Sequence, residues 1–260
     1  MADQVKYTQK LKDAKVLVIG GSSGIGYGVA EALVENGCIV TISASNPDRA
    51  KQTVDRLTKS YPSAKSRIHG ESCNLGDASK LDDNIKALFE RVGSLDHVIN
   101  TAGDSLEIMN PDDITMDKIM KVGTVRFFAP IFIGKHAPKY LSSGPRSSIT
   151  FTTGSVSEKP IANWSTIGAF ATGLHGLTRG LALDLKPIRV NLISPGPVDT
   201  ELWNSMSEDQ RSAMKENLRK SLPTGRIGSV EDVVESFLYV MKDANITGAV
   251  VSTSSGSLLV

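Results

Sequence analysis

The stretch from Lys15 to Gly26, Lys-Val-Leu-Val-Ile-Gly-Gly-Ser-Ser-Gly-Ile-Gly, constrains this chain more than any other. Val16 to Ile19 has the length and β-branched content of a fully buried strand, and Tyr27 to Asn36 reads as a helix, with glycine-rich chain between them. That order suits a dinucleotide phosphate site. Gly20 allows the tight turn, Gly24 lets backbone approach a pyrophosphate, and Gly26 lets the helix pack closely on the strand. Ser22, Ser23 and Ile25 line the same turn, whose unpaired N–H groups at the helix start face the phosphates. Glycines also serve ordinary turns. The strand before and the helix after give this set its weight.

The remaining punctuation repeats the alternation. Cys38 to Ala44 reads as a strand, Ala50 to Ser60 as a helix, Ser66 to Cys73 as a strand and Ala78 to Val92 as an amphipathic helix. Leu95 to Ile99 is a further strand, with Asn100-Thr101-Ala102-Gly103 behind it. Strands alternating with helices predict a doubly wound α/β fold, a parallel sheet covered on both faces, in which ligands bind at the carboxyl ends of the strands. With 260 residues, 40% of them hydrophobic, residues 1–260 are expected to form one Rossmann-like domain.

The end of the second strand is where such folds choose their cofactor. An acid there would accept the adenosine ribose hydroxyls and repel a 2′-phosphate. This chain has Ser43, Ala44, Ser45, Asn46, Pro47, Asp48 and Arg49. Ser43, Ser45, Asn46 and Arg49 as donors favour NADP(H); alternatively, Ser and Asn only turn the chain and Arg49 belongs to a solvated helix face. Asn74 and Leu75, after the third strand, are placed to hold an adenine edge.

A formal net charge of +1 gives no reason to expect nucleic acid or a membrane surface as partner. The polar start, Met1 to Lys15, lacks a signal peptide's apolar core, and no apolar run approaches spanning length, so a soluble cytoplasmic protein is expected. Cys38 and Cys73 fall in or beside strands and read as buried thiols. His69, His97, His136 and His175 are scattered without metal-ligand spacing and read as structural.

Taken in order, these segments resemble the short-chain dehydrogenase/reductase family over essentially the whole chain. The resemblance continues through Ile188 to Thr200 (Ile-Arg-Val-Asn-Leu-Ile-Ser-Pro-Gly-Pro-Val-Asp-Thr), Leu222 to Gly228, and Ile246-Thr247-Gly248. Ile19 departs from it, standing where the family usually has Thr. The resemblance implies a seven-stranded parallel sheet, a homotetramer or homodimer, and a nicotinamide cofactor contacted by Asn100, Ala102 and Gly103, with its nicotinamide end held by Pro195, Gly196, Val198 and Thr200.

Family members that move hydride use Asn, Ser, Tyr and Lys. Tyr gives or takes the proton, Lys lowers its pKa and holds the ribose, Ser binds the substrate oxygen, and Asn holds a water. Alignment back from Leu174 to Arg179 puts Ile167 at the Tyr position and Ala171 at the Lys position; Gly154 then falls at the Ser position, and Gly123, on a helix expected over Asp117 to Val125, at the Asn position. None of the five tyrosines, Tyr7, Tyr27, Tyr61, Tyr140 and Tyr239, is followed four residues later by Lys.

Four residues remain as candidates for chemistry. Arg126, three residues after Gly123, is expected on that helix face, either holding a substrate carbonyl or enolate or serving as a structural or subunit contact. Trp164 either walls the substrate pocket or packs in the core. Asp104 is a carboxylate acid, a partner to Arg126, or a turn cap. Ser155, with Thr153 and Thr166, offers a hydroxyl to substrate or turns the chain. Arg126, Trp164 and the ending Gly256 to Val260 are similar to an atypical branch that lacks Tyr and Lys, the bifunctional reductase/Diels–Alderases of fungal indole alkaloid pathways. Those enzymes carry Asp after the proline equivalent to Pro160; this chain has Ile161.

Three functions are open to such a chain. The first is an NADPH-dependent reductase acting on an imine, iminium or conjugated carbonyl of secondary metabolism; the second is a non-redox isomerase or cyclase; the third is an NADP(H)-binding inactive homologue. Ser205 to Leu222 reads as one or two helices closing over substrate, and Ala249 to Thr253 as the last strand.

Overall fold

The computed structural model describes residues 4–204 and 206–260. In chain order the elements are β1 (Lys15–Ile19), α1 (Gly24–Glu35), β2 (Ile39–Ala44), α2 (Pro47–Ser60), β3 (Ile68–Ser72), α3 (Leu81–Val92), β4 (His97–Asn100), α4 (Met116–Gly123), α5 (Ala129–His136), β5 (Ser148–Thr152), α6 (Ser165–Asp184), β6 (Arg189–Pro195), α7 (Glu208–Ser221), α8 (Val230–Lys242) and β7 (Val250–Thr253). The seven strands form one parallel sheet in the order β3-β2-β1-β4-β5-β6-β7. The order reverses between β1 and β4, so their carboxyl ends open a crevice at the switch point.

Two apolar clusters cover the sheet faces. One packs Val29, Leu33, Val34, Val233, Phe237 and Val240 against Val16, Val18, Val40 and Ile42; the other packs Ile85, Leu88, Phe89, Ile133 and Leu174 against Leu17, Ile19, Val98, Ile149 and Phe151. Adjacent β1 residues thus enter opposite clusters, as the period of two requires, and the strand is buried on both faces. That explains why Val16 to Ile19 reads as an unbroken apolar run.

Several boundaries differ from expectation for local reasons. Helix α1 begins at Gly24 rather than Tyr27, because the glycine turn itself enters the first helical turn. Helix α2 begins at Pro47, whose fixed φ suits the first helical position, behind Asn46 as cap. The expected helix from Asp117 to Val125 ends as α-helix at Gly123 and widens into a π-turn over Thr124–Phe128 before α5. Ser205, the expected start of the covering segment, lies outside the described residues; α7 fills 208–221 behind a Ser207–Gln210 capping box.

No helix of the described residues is long and apolar enough to cross a membrane. Burial raises Cys38 to about 12 and Cys73 to about 11, leaving both as unreactive thiols. Three of the four histidines are tied into the fold: His97 with Ser148, His136 with Asp82, and His175 with Ser157.

A candidate active site with a glycine cradle and an apolar half

A cavity of 1170 Å³ opens at the carboxyl ends of the strands. One half is built by the glycine turn. A methyl on Gly20 would stand 2.5 Å from the Ala102 nitrogen, and one on Gly26 would stand 2.2 Å from the Gly20 carbonyl oxygen and 2.4 Å from Thr101 Oγ1. Gly20 also has φ +84, a conformation that favours glycine. These glycines let α1, the turn and the loop after β4 interlock, so the helix N-terminus faces the cavity.

The residues fit a dinucleotide phosphate. Ser23 caps α1 without a side-chain hydrogen bond, and no acid occupies its first turn. Gly20, Ser22, Ser23, Gly24 and Ile25 line this half, with Ser43, Ser45 and Arg49 at its outer edge and Asn74 and Leu75 beyond. No carboxylate side chain from β2 or its following loop lines it. The N–H of Gly24 donates to Glu201 Oε2 at 2.9 Å, so a carboxylate already rests where an anion is favoured.

Two expected cofactor contacts fall elsewhere. Asn46 caps α2, its Oδ1 accepting from the Arg49 N–H at 3.0 Å, and is not on the cavity wall. Its short amide satisfies an orphan helix donor better than it reaches outward. Asn100 is buried beneath the loop it precedes, its Oδ1 facing the Ala102 N–H at 3.4 Å. It supports Ala102 and Gly103, which do line the cavity. Pro195, Gly196, Val198 and Thr200 line it from β6; a methyl on Gly196 would stand 2.7 Å from Ser254 backbone, fixing this loop against the chain after β7.

The second half is mostly apolar. Ile167, Ala171 and Gly154, aligned with the family's Tyr, Lys and Ser, all line it, and no Tyr, Lys or His is among the lining residues described. Gly123, aligned with the Asn, lies instead in the core, where a methyl would meet the Phe128 and Phe170 rings at 2.8 and 2.9 Å. Thr153 is turned to structural use, its hydroxyl donating to the Ala171 carbonyl at 2.9 Å. Ser155 and Trp164 line the cavity, and Trp164 also packs against the small cluster of Met109, Val122 and Ile167.

Arg126 reaches the cavity by the π-turn rather than by α-helical spacing. The extra residue in the turn redirects the side chain, a common use of such bulges at functional sites. Its Nε donates to Asp104 Oδ1 at 3.0 Å and its Nη2 to the Asp104 carbonyl; Nη1 makes no hydrogen bond to the described residues. The guanidinium lies along Gly103, where a methyl would come within 3.0 Å of Nη1. Burial lowers its pKa and the Asp104 carboxylate opposes that shift, so the group keeps its charge. Asp104 therefore is the partner of Arg126.

The segment from Ser205 to Leu222 was expected to close over substrate, but no residue of the far wall was singled out from the sequence. Glu201, Leu202 and Trp203 follow Thr200 into the cavity, and Met214 and Leu218 enter it from α7. The four-residue spacing of Met214 and Leu218 was the available signal, hidden by a helix otherwise rich in charge.

Comparisons with known proteins agree with this geometry. The family model for an SDR-like Rossmann domain matches residues 7–260. The chain is 45% identical to the short-chain dehydrogenase/reductase fsr5 of Gibberella fujikuroi and 38% identical to malC of Malbranchea aurantiaca, with 100% of each chain covered in both cases. It superposes on the structure of the MalC reductase/Diels-Alderase from Malbranchea aurantiaca with a TM-score of 0.92 at 37% identity, over 98% of this chain and 100% of that one. A small-chain dehydrogenase in complex with NADPH gives a TM-score of 0.79 at 28% identity, over 96% of this chain and 100% of that one. With an unbroken family match, a switch-point crevice and a glycine cradle, this chain belongs to the short-chain dehydrogenase/reductase family.

Proposed function

We propose that this protein is a cytoplasmic NADP(H)-dependent reductase of an apolar small molecule carrying a conjugated carbonyl, working without the family's tyrosine and lysine. Ser22, Ser43, Ser45 and Arg49 hold the 2′-phosphate end, the α1 N-terminus holds the pyrophosphate, and Gly103, Pro195, Gly196, Val198 and Thr200 hold the nicotinamide end. When bound, the nicotinamide supplies a hydride.

The observation that carries the reading is the Arg126 Nη1, unpaired among the described residues, in a cavity half whose wall is otherwise mostly hydrocarbon. A carbonyl oxygen placed there gains a charge-assisted hydrogen bond that strengthens as negative charge develops on it. When hydride reaches the β-carbon of an enone, the electron pair moves to that oxygen, and Arg126 stabilises the enolate. Water then protonates the α-carbon, so no side-chain acid is required. An iminium ion gains nothing from Nη1, and Ile161 offers no carboxylate to balance it. Ser155 hydrogen-bonds a second substrate oxygen, and Trp164 provides a flat apolar wall.

The test is direct. Purified protein is titrated against NADPH fluorescence, then NADPH oxidation is followed with enones, imines and simple ketones in parallel. Turnover of enones with little or none of simple ketones is expected; oxidation of NADPH with simple ketones alone overturns the proposal. A second reading, a non-redox cyclase, draws support from the Diels-Alderase named for a relative. Turnover unchanged when nucleotide is omitted selects it, and nucleotide binding without turnover of any substrate selects the inactive homologue.

A further inference from the structure

Helix α7 forms one wall of the substrate half, yet none of its 14 residues is buried. Its inward stripe runs Arg211, Met214, Lys215, Leu218, the i, i+3, i+4, i+7 pattern of a packing face. Half of that stripe is apolar and seals the cavity. The other half is cationic and converges on one carboxylate. Arg211 Nη2 donates to Asp199 Oδ1 at 2.7 Å, and Lys215 Nζ donates to Asp199 Oδ2. Arg211 Nη1 also donates to Asn204 Oδ1 at 3.1 Å.

Asp199 itself is fixed. Its N–H donates to the Gly228 carbonyl at 3.2 Å, and Val198 bridges to Gly228 in parallel register. It stands between Val198 and Thr200, both on the cavity wall. The carboxylate thus joins the loop after β6 to a helix that has little hydrophobic burial to hold it.

We propose that Asp199 is a positioning residue that latches α7 over the substrate half through Arg211 and Lys215, so that Met214 and Leu218 close around an apolar substrate. The proposal rests on the reductase reading for what the wall encloses, but its test needs no turnover. The side chains of Asp199, Arg211 and Lys215 are partly solvent-accessible, so the latch opens by local movement of α7 without unfolding the sheet.

Trp164 and Trp203, the chain's two tryptophans, both line the cavity, so intrinsic fluorescence reports on its closure. In a Trp164→Phe background only Trp203 emits. There, Asp199→Asn is expected to raise acrylamide quenching and trypsin cleavage at Arg211, Lys215 and Arg219 by roughly threefold to tenfold, the range for losing a small ion-pair network. NADPH affinity is expected to stay within about twofold, because the glycine cradle is untouched. The paired variant Arg211→Gln with Lys215→Gln breaks the same latch from the helix side. It is expected to reproduce the rise in quenching and in cleavage at Arg219, the one of the three sites it retains, and adding Asp199→Asn to it is expected to have no further effect. Asp199→Glu is expected to restore protection in part.

Unchanged quenching and cleavage in both the Asp199→Asn and the paired variant overturn the latch. So does a loss of NADPH affinity without increased quenching, which would place Asp199 in the cofactor loop alone. A purely additive triple variant also overturns it. If the latch behaves as expected while no substrate is reduced, the reductase reading fails separately.

Discussion

Gly26→Ala is the sharpest test of how the glycine turn works. The added methyl would lie 2.2 Å from the Gly20 carbonyl oxygen, 2.4 Å from Thr101 Oγ1 and 2.9 Å from the Gly20 carbonyl carbon. Two of these three atoms are backbone, so no rotamer change relieves the contact, and α1 must move away from the turn by about 1 Å to restore ordinary separation. Overpacking of this kind costs about 1–3 kcal/mol. For a chain of this size that lowers Tm by roughly 2–12 °C. The same movement withdraws the α1 N–H groups from the phosphates; one lost charge-assisted hydrogen bond of about 1.5–3 kcal/mol weakens NADPH binding by roughly 10- to 150-fold. Gly154→Ala is the control. Gly154 is on the same cavity, its backbone is extended at φ −163, and its added methyl meets only the Pro195 carbonyl oxygen, at 3.9 Å. It should leave Tm and NADPH affinity unchanged. Differential scanning fluorimetry and fluorescence titration measure both quantities. A Gly26→Ala protein with parental Tm and parental NADPH affinity would refute the claim that close backbone approach at this glycine builds the site.

Three further outcomes are expected. Glu201→Gln removes the carboxylate that rests on the Gly24 N–H, so NADPH should bind roughly threefold to tenfold more tightly; unchanged or weaker binding by titration counts against Glu201 opposing the phosphates. Arg126→Ala should lower kcat/KM for an enone by about 100-fold or more with NADPH affinity preserved, and Arg126→Lys should recover only part because one ammonium cannot both meet Asp104 and offer a second donor. Equal activity of Arg126→Ala and the parent in steady-state assays removes the arginine from the mechanism. Burial, with the Arg189 charge, holds His97 at about 4, below its usual 6.5. As pH falls the unfolded chain is protonated first, so stability present above pH 6.5 is lost between pH 6.5 and 4, by about 3 kcal/mol at the low end. Urea melts at pH 7, 5 and 4 should show this decline, and His97→Asn should flatten that portion of the profile; an unaltered slope sinks the assignment.

The sequence by itself determined the layers and one half of the site. Val16 to Ile19 could be read as a central strand because both its faces are buried, which leaves no polar alternation to confuse the pattern. Gly20, Gly24 and Gly26 announced the tight glycine turn because their spacing is dictated by backbone contacts local to that turn. Ile167 and Ala171 could be placed by the family resemblance because an ungapped alignment along one helix preserves spacing, and both line the cavity.

Only the tertiary structure decided the rest, because those features depend on residues far apart in sequence. Asn46 looked like a cofactor donor until the start of α2 claimed its amide, and no local pattern distinguishes a capping amide from a ligand-binding one. The direction of Arg126 is set by a π-turn between two helices and by the Asp104 carboxylate 22 residues earlier. Asp199 meets α7, and Glu201 meets the Gly24 N–H across 177 residues, because the sheet brings its carboxyl ends to one rim. Periodicity records which face of an element is buried. It carries no record of which distant side chain that face will meet, and in this protein such meetings build the apolar half of the cavity.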